Sequence, residues 1–462
     1  MRMKPMTLAQ AAAATGGKLI GGGADTLIEQ VVMDSRLDVV GALFVAIPGA
    51  RADGHDFVQD VIRRGAVCCL VEREVESPGG ACIVVESTLR AVRDLAKYYR
   101  ELFDIPVIGI TGSVGKTSTK EMMAAVLSEK FLVHKTAGNL NNELGVPMTL
   151  LGLREEHEAA VIEMGISDFG EMTRLTDMVQ PTVAMITIIG YAHLDNLSNR
   201  AGVYQAKTEI FHGLQPDGLA LLNGDDDMLR PCVITDISPE KTGVEKRLYG
   251  LEAGNDYRAT DIVTKGESGT ACTFHLDGLT LPVTIPAFGL PFVYAALAGA
   301  AVGQRLGMTS EALQRGIASF HTVEGRANVL TTERLTIIDD CYNANPSSVR
   351  ASLTSLAGLS GRRVAVLGDM GELGPDAPTL HREIGETVGQ HKIDCLVCVG
   401  EMSAHTYEGA KAQNPDLVAW HFPDKEEALT VLQSLLQDGD QVLVKASRFM
   451  RFEDIVKVLQ AW

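Results

Sequence analysis

Long hydrophobic runs are missing from this 462-residue chain: no stretch approaches the roughly 18 apolar residues needed to cross a bilayer, which excludes a spanning helix. Positive charge is also scarce. Against 59 Asp and Glu there are 41 Lys and Arg, a net charge of −18, so the molecule's field repels nucleic-acid backbones and anionic lipid heads. Neither nucleic acid nor membrane insertion is expected, and any bound phosphate must be held by local backbone amides and a few cations. Glycine (46) and proline (17) are too few for collagen or low-complexity disorder. Cysteine is limited to eight scattered positions (68, 69, 82, 232, 272, 341, 395 and 398), mostly inside apolar runs, which suits reduced thiols in a cytoplasm. Cys395 and Cys398 have a two-residue spacing, but they lie in an apolar stretch that reads as a buried strand, with no second pair to complete a zinc site. The Ala-rich segment 8–14 contains Gln10 and stops at Thr15-Gly16-Gly17, without the Leu-rich core of a secretory leader.

What is present is an alternation of short apolar runs and helical stretches, enough for about three folding units. We expect an α/β protein with units at 1–103, 104–327 and 328–462. The first has strand-like runs at 42–47, 67–71 and 81–86 and helices at 57–64 and up to Phe103. In the second, an apolar strand at 107–110 leads through a glycine-rich turn into a helix at 116–130. Strands at 160–164, 183–189 and 219–222 then fit a mostly parallel sheet, with an antiparallel excursion over 256–287 and an Ala-rich helix at 293–306. The third has five strand-like runs, at 335–339, 364–368, 396–400, 418–422 and 441–445, and a last helix at 452–459, as in a doubly wound, Rossmann-like sheet.

The strongest local signal is Gly109-Ile110-Thr111-Gly112-Ser113-Val114-Gly115-Lys116-Thr117-Ser118, set between a strand and a helix. Glycines turn consecutive amides into one concavity, the helix start adds positive potential, Lys116 reaches the β- and γ-phosphates, and the Thr117 hydroxyl can ligate Mg²⁺. Ile110 stands where the usual motif has glycine, making this a P-loop variant. Glu163, at the end of an apolar run, suits a metal-holding acid, or a helix cap. His193 also ends a run, where a lone histidine is more often structural than ligating, and Lys207 alone reads as an exposed helix lysine. In the third unit, strand ends carry Asp339-Asp340-Cys341-Tyr342-Asn343-Ala344-Asn345-Pro346, the loop 368–374 and Lys445-Ala446-Ser447-Arg448. Open α/β sheets bind ligands at such edges.

Together with Asp34-Ser35-Arg36, Asp53-Gly54-His55-Asp56-Phe57, the run Asn139-Leu140-Asn141-Asn142, Ala192-His193-Leu194, Gly325-Arg326 and the Asn343-Ala344-Asn345-Pro346 loop, these motifs resemble the Mur ligase family over essentially the whole chain. The resemblance implies the three-domain architecture of that family, with a central P-loop domain, and an ATP-dependent amide ligation. It further implies that the ligation joins D-alanyl-D-alanine to a UDP-N-acetylmuramoyl-tripeptide through an acyl phosphate, a step of bacterial cytoplasmic peptidoglycan synthesis. A carboxylate is a poor acyl donor until the γ-phosphoryl group gives it a leaving group.

By this likeness Gly112, Ser113, Val114, Gly115, Lys116, Thr117, Ser118, Arg326, Asp340 and Asn343 would bind ATP. Ser35, Arg36, Asp53 and His55 would anchor the UDP end, and Asn345, Lys445 and Arg448 the dipeptide. Lys116, Glu163, His193 and Lys207 would be catalytic, with Thr117, Glu163, His193 and a carbamylated Lys207 holding two Mg²⁺ ions. A monomer is expected. One departure is visible: Pro291-Phe292-Val293-Tyr294-Ala295 stands where the family carries amides for the adenine, so Phe292 or Tyr294 would stack on the base instead. The competing readings are a related ligase with a different amino acid, including glutamate addition to folate, and a non-enzymatic P-loop switch. The switch fits poorly, because the chain lacks the guanine-reading Asn-Lys-x-Asp motif.

Overall fold

A computed structural model describes residues 3–49, 52–76, 79–264 and 269–462. Each apolar run buries itself in one of three main sheets. The first, of five strands, is ordered Lys18–Ile20, Ala81–Val84, Cys68–Val71, Ala42–Val45, Gln30–Val32, and is parallel except for the antiparallel first pair. The amphipathic helix Thr88–Arg100 then packs towards the central unit. Tyr99 donates its hydroxyl to Leu153 O at 2.6 Å, and the buried Arg100 guanidinium donates to Val179 O at 3.0 Å and Phe103 O at 2.6 Å. The Ala-rich segment near the start is the helix Leu8–Thr15, packed through Leu8, Ala11 and Ala12.

The central sheet has nine strands, and its middle explains the site. Strand Val107–Thr111 lies between Ala159–Glu163 and Val183–Ile186, all parallel, with Glu163 paired to Ile110 and Ile186 to Thr111. All three strands are buried along their length, hence the continuous apolar runs. Their carboxyl ends finish at one level, and the chain builds first one side of the central strand and then, after Ala159–Glu163, crosses to the other, the switch point where such sheets take ligands. The helix Lys116–Leu127 covers one face, under Leu290–Arg305 and Ser310–Ala318. The expected excursion is the antiparallel set Tyr257–Thr264, Thr270–Leu276 and Leu279–Ile285. Two further strands, Val133–Lys135 and Glu245–Gly250, were not expected.

The third sheet has six strands and not five, in the order Asn328–Thr331, Thr336–Asp339, Gln441–Lys445, Arg363–Gly368, Cys395–Val399, Val418–Phe422. The additional strand, Asn328–Thr331, pairs antiparallel at the edge; edge strands need only half the burial, so it carries no strong apolar signature. Cys395 and Cys398 lie buried in a strand, and burial pushes the Cys395 thiol up to about 11, an inert arrangement. Among the described residues no helix is long and apolar enough to cross a membrane.

Candidate active site

Gly112, at φ +146°, and Gly115, at φ +84°, shape the loop after the central strand. At Gly112 a side chain is also barred by space, since a Cβ would overlap Thr187 Oγ1. The loop opens into the helix Lys116–Leu127, and Lys116 Nζ folds back to donate to Gly112 O at 2.8 Å. Desolvation lowers the Lys116 pKa; Glu163 opposes the shift and Arg326 adds to it. Thr117 Oγ1 and Asn141 Nδ2 donate to one oxygen of Glu163, at 3.1 and 2.7 Å. The other oxygen, Glu163 Oε2, is buried with no hydrogen-bond donor, and its nearest cation, Lys120 Nζ, is 3.8 Å away.

A buried carboxylate oxygen without a donor, next to a threonine hydroxyl at a phosphate loop, fits Mg²⁺, which takes one or two protein oxygens and fills its shell with phosphate and water. Among the described residues no cluster of three or more His, Cys, Asp or Glu could hold a metal unaided.

Facing the P-loop is the loop after Thr336–Asp339. Asn345 caps the helix Pro346–Ala357, its Oδ1 accepting from Ser348 N at 2.9 Å, while its Nδ2 donates across the interface to Ser113 O at 3.4 Å. Asp340 accepts from the nearly buried Lys445 at 2.5 Å, Ser352 Oγ at 2.7 Å and Ala327 N at 3.1 Å. Lys445 also donates to Asn343 O at 3.2 Å. Asn345 and Lys445 therefore build the loop, and Asn343 stands exposed beside it. Arg326 stacks on Tyr342, 4.0 Å from the ring centroid. Between the two loops lies a cavity of about 370 Å³ lined by residues 113–118, Asn141, Glu163, His193, Arg326, Asp340, Asn343 and Asn345.

His193, at φ +54°, bridges the two units: its Nδ1 lies 2.6 Å from Glu372 Oε2, and Leu194 N donates to Glu372 O at 3.0 Å. Glu372 is itself left-handed, at φ +60°. Two non-glycine residues in this costly conformation meet where the units touch. The hydrogen bond from His193 holds the Glu372 carboxyl below its ordinary range.

Two expectations need correction, the exposed Lys207 and the stacking Tyr294. Lys207 is not an exposed helix lysine: it is 1% exposed, and burial, with Lys116 nearby, lowers its pKa well below the ordinary value. Tyr294 does not face the cavity, because its hydroxyl donates to Asp225 at 2.7 Å; Phe292 does line it. Arg448 lines a neighbouring cavity of about 520 Å³, beyond Tyr342. Ser35, Arg36, Asp53 and His55 lie in the first unit and line neither of these two cavities. Both His55 nitrogens are engaged, Nε2 accepting from Glu72 N at 2.8 Å and Nδ1 meeting Asp53 Oδ1 at 2.6 Å, so His55 fixes the Asp53 turn. Arg36 is exposed and paired with Asp34 at 2.6 Å. The sequence reading missed Lys120 and Glu372. Lys120 follows Lys116 by one helical turn, a usable signal, whereas Glu372 meets His193 only through the fold.

Three family profiles match consecutive segments: the Mur ligase family catalytic domain over residues 27–109, the Mur ligase middle domain over 110–303, and the Mur ligase glutamate ligase domain over 325–448. The UDP-N-acetylmuramoyl-tripeptide–D-alanyl-D-alanine ligase of Bacillus subtilis is 37% identical over 94% of this chain and 93% of its own. The protein of that name from Escherichia coli is 36% identical over 99% of both. Among solved structures, MurF from Acinetobacter baumannii superposes with a TM-score of 0.90 at 33% identity over the full length of both chains. MurF from Thermotoga maritima, solved in complex with ADP, gives 0.83 at 29% identity over 94% of this chain and 97% of that one. With a phosphate loop facing a polar strand edge across one cavity, and with these matches along its length, the chain belongs to the Mur ligase family.

Proposed function

We infer that the chain is an ATP-dependent ligase that joins D-alanyl-D-alanine to a UDP-N-acetylmuramoyl-tripeptide, giving the pentapeptide precursor, ADP and phosphate. The observation that carries this reading is the shared cavity, in which the P-loop amides and Lys116 face a third-unit loop built by Asn345, Asp340 and Lys445. Two substrates held on different units can meet there, screened from water that would hydrolyse an activated acyl group.

The donor carboxylate attacks the γ-phosphorus, the bond to the β-phosphate oxygen breaks, and ADP leaves. The dipeptide amine then attacks the acyl carbon, the C–O bond to phosphate breaks, and the amine loses its proton as the amide forms. Lys116 and the amides of residues 112–118 hold the transferring phosphates, and Arg326 reaches them from the opposite side. Thr117 and the unpartnered Glu163 oxygen would hold Mg²⁺, which neutralises phosphate charge when bound.

We assign His193 and Lys207 to a second ion. Burial lowers the Lys207 pKa and so favours the uncharged amine, the form that CO₂ carbamylates. We further assign residues 1–103 to the UDP end, through Ser35, Arg36 and the Asp53 turn held by His55, 104–327 to ATP, and 328–462 to the dipeptide. Asn345 and Lys445 shape that last site, and the exposed Arg448 offers the dipeptide carboxylate a cation. Eight buried cysteines suit a reducing cytoplasm.

The test is to combine ATP, the UDP-muramoyl-tripeptide and D-alanyl-D-alanine and follow phosphate. Release should require all three and fall at least about 10³-fold in a folded Lys116→Ala variant. Release independent of the dipeptide would end this reading.

A further inference from the structure

We propose that the nucleobase is held in an apolar slot that reads its flat faces and not its hydrogen-bonding edge, with Phe292 as the main wall. The proposal deepens the ATP-dependent reading and rests on it.

The lining of the main cavity is of two kinds. Around the P-loop it is polar, with Asn139, Asn141 and Asn142 among it. The lining also includes an apolar set, Phe288, Pro291, Phe292, Ala327, Ile338 and Ala351. A triphosphate anchored on the P-loop must direct its base away from the loop, and this apolar set has the chemistry of a π-face. Phe292 is 3% exposed and backed by Phe320, with ring centroids 5.7 Å apart, so the wall is fixed before any ligand arrives. Next to Phe292 the chain approaches the helix Pro346–Ala357 closely: a Cβ built on Gly289 would lie 2.8 Å from Ser355 Oγ.

The side-chain polar groups at this end are already engaged. Ser352 donates to Asp340 at 2.7 Å, and Ser355 to Ala351 O at 3.0 Å. Asp340 accepts from Ser352, Lys445 and Ala327 N, and Pro291 has no N–H. Tyr294, the other aromatic of this segment, is tied to Asp225 and does not line the cavity. None of Ser352, Ser355 and Asp340 is left waiting for the purine 6-position. A site built to hydrogen-bond a substrate group rejects an analogue lacking it by about 10⁴-fold or more, because its own buried partners go unpaired, whereas apolar walls discriminate weakly.

The experiment compares ligation by the full chain with ATP, inosine triphosphate and purine riboside triphosphate, the last lacking any 6-substituent. We expect both analogues to work within about tenfold of ATP in kcat/KM; a larger loss with purine riboside triphosphate overturns the proposal. In Phe292→Leu, which keeps bulk but loses the ring face, KM should rise at least about threefold for ATP and inosine triphosphate alike, with kcat within about twofold. An unchanged KM for ATP overturns the role of Phe292. The nucleotide comparison uses the unaltered chain, so it stands even if the variant folds poorly. Failure of ATP itself to support ligation would mark the functional reading as wrong, and equilibrium binding of ATP against inosine triphosphate would then test the slot by the same tenfold limit.

Discussion

Asn345 does two jobs with two atoms, and a single substitution separates them. Its Oδ1 caps the helix Pro346–Ala357 and its Nδ2 bridges to Ser113 O in the P-loop. Asn345→Asp retains the cap, since aspartate caps as well as asparagine and suits a helix N-terminus. It removes the bridging donor and sets a carboxylate against a carbonyl near the phosphates. The lost hydrogen bond is worth about 1 kcal/mol. Repulsion between the new charge and the bound nucleotide adds about 1 kcal/mol at the effective dielectric of a wet cleft. Together they should lower kcat/KM for ATP about 30-fold, with thermal stability close to that of the parent. Asn345→Ala loses the cap, about 1 kcal/mol of third-unit stability, and the bridge, but adds no charge, so activity should fall only about fivefold. The diagnostic is the crossing of two series: the aspartate variant is the more stable and the less active. Phosphate-release kinetics with the other substrates saturating, beside calorimetric melting, measure both. If Asn345→Asp matches the parent in kcat/KM, or if activity simply follows stability, the bridge to Ser113 has no role in closing the site.

Three further outcomes are expected. Gly112→Ala forces a side chain onto a φ of +146° and into Thr187, so ATP binding by titration calorimetry should weaken at least about 100-fold while the fold persists. His157 is held at about 4 against an ordinary 6.5, by burial first and then by the neighbouring His134 and Arg154. Because the folded chain resists a proton that the unfolded chain accepts, stability should be intact above pH 6.5 and decline as pH falls towards 4. The full difference corresponds to about 3 kcal/mol, and after discounting for solvent screening about half of it is expected; urea unfolding of the parent against His157→Phe across that window measures it. The eight cysteines, all buried, should ignore a thiol reagent in the native state and react fully in denaturant; rapid native reaction of even one would contradict the packing.

Where burial on both sheet faces produced unbroken apolar runs, elements could be read directly: Val107–Thr111, Ala159–Glu163 and the buried strands of the third sheet. Glu245–Gly250 escaped because its first residues, Glu-Lys-Arg, are only half-buried and serve ion pairs such as Glu245 with Arg305 at 2.7 Å. The P-loop and Glu163 are local signals, since the chemistry demands neighbours in sequence. Lys207 was opaque for the opposite reason: nothing within its own helix announces a buried amine, and only the packing of that helix near Lys116 creates one. The pairing of His193 with Glu372 likewise exists only once two separately folded units meet.

Gly190 sits where the central strand ends pass closest to the third unit, and a Cβ there would overlap Ser347 Oγ and stand 3.0 Å from Ser347 Cβ. Its φ is not left-handed, so nothing in the backbone demands glycine; only room does. A branched side chain at this one position would therefore act as a doorstop, leaving each lobe intact but propping them ajar, and, since a Cβ there also stands 3.4 Å from Ser113 Cβ, it would lean on the phosphate loop as it did so.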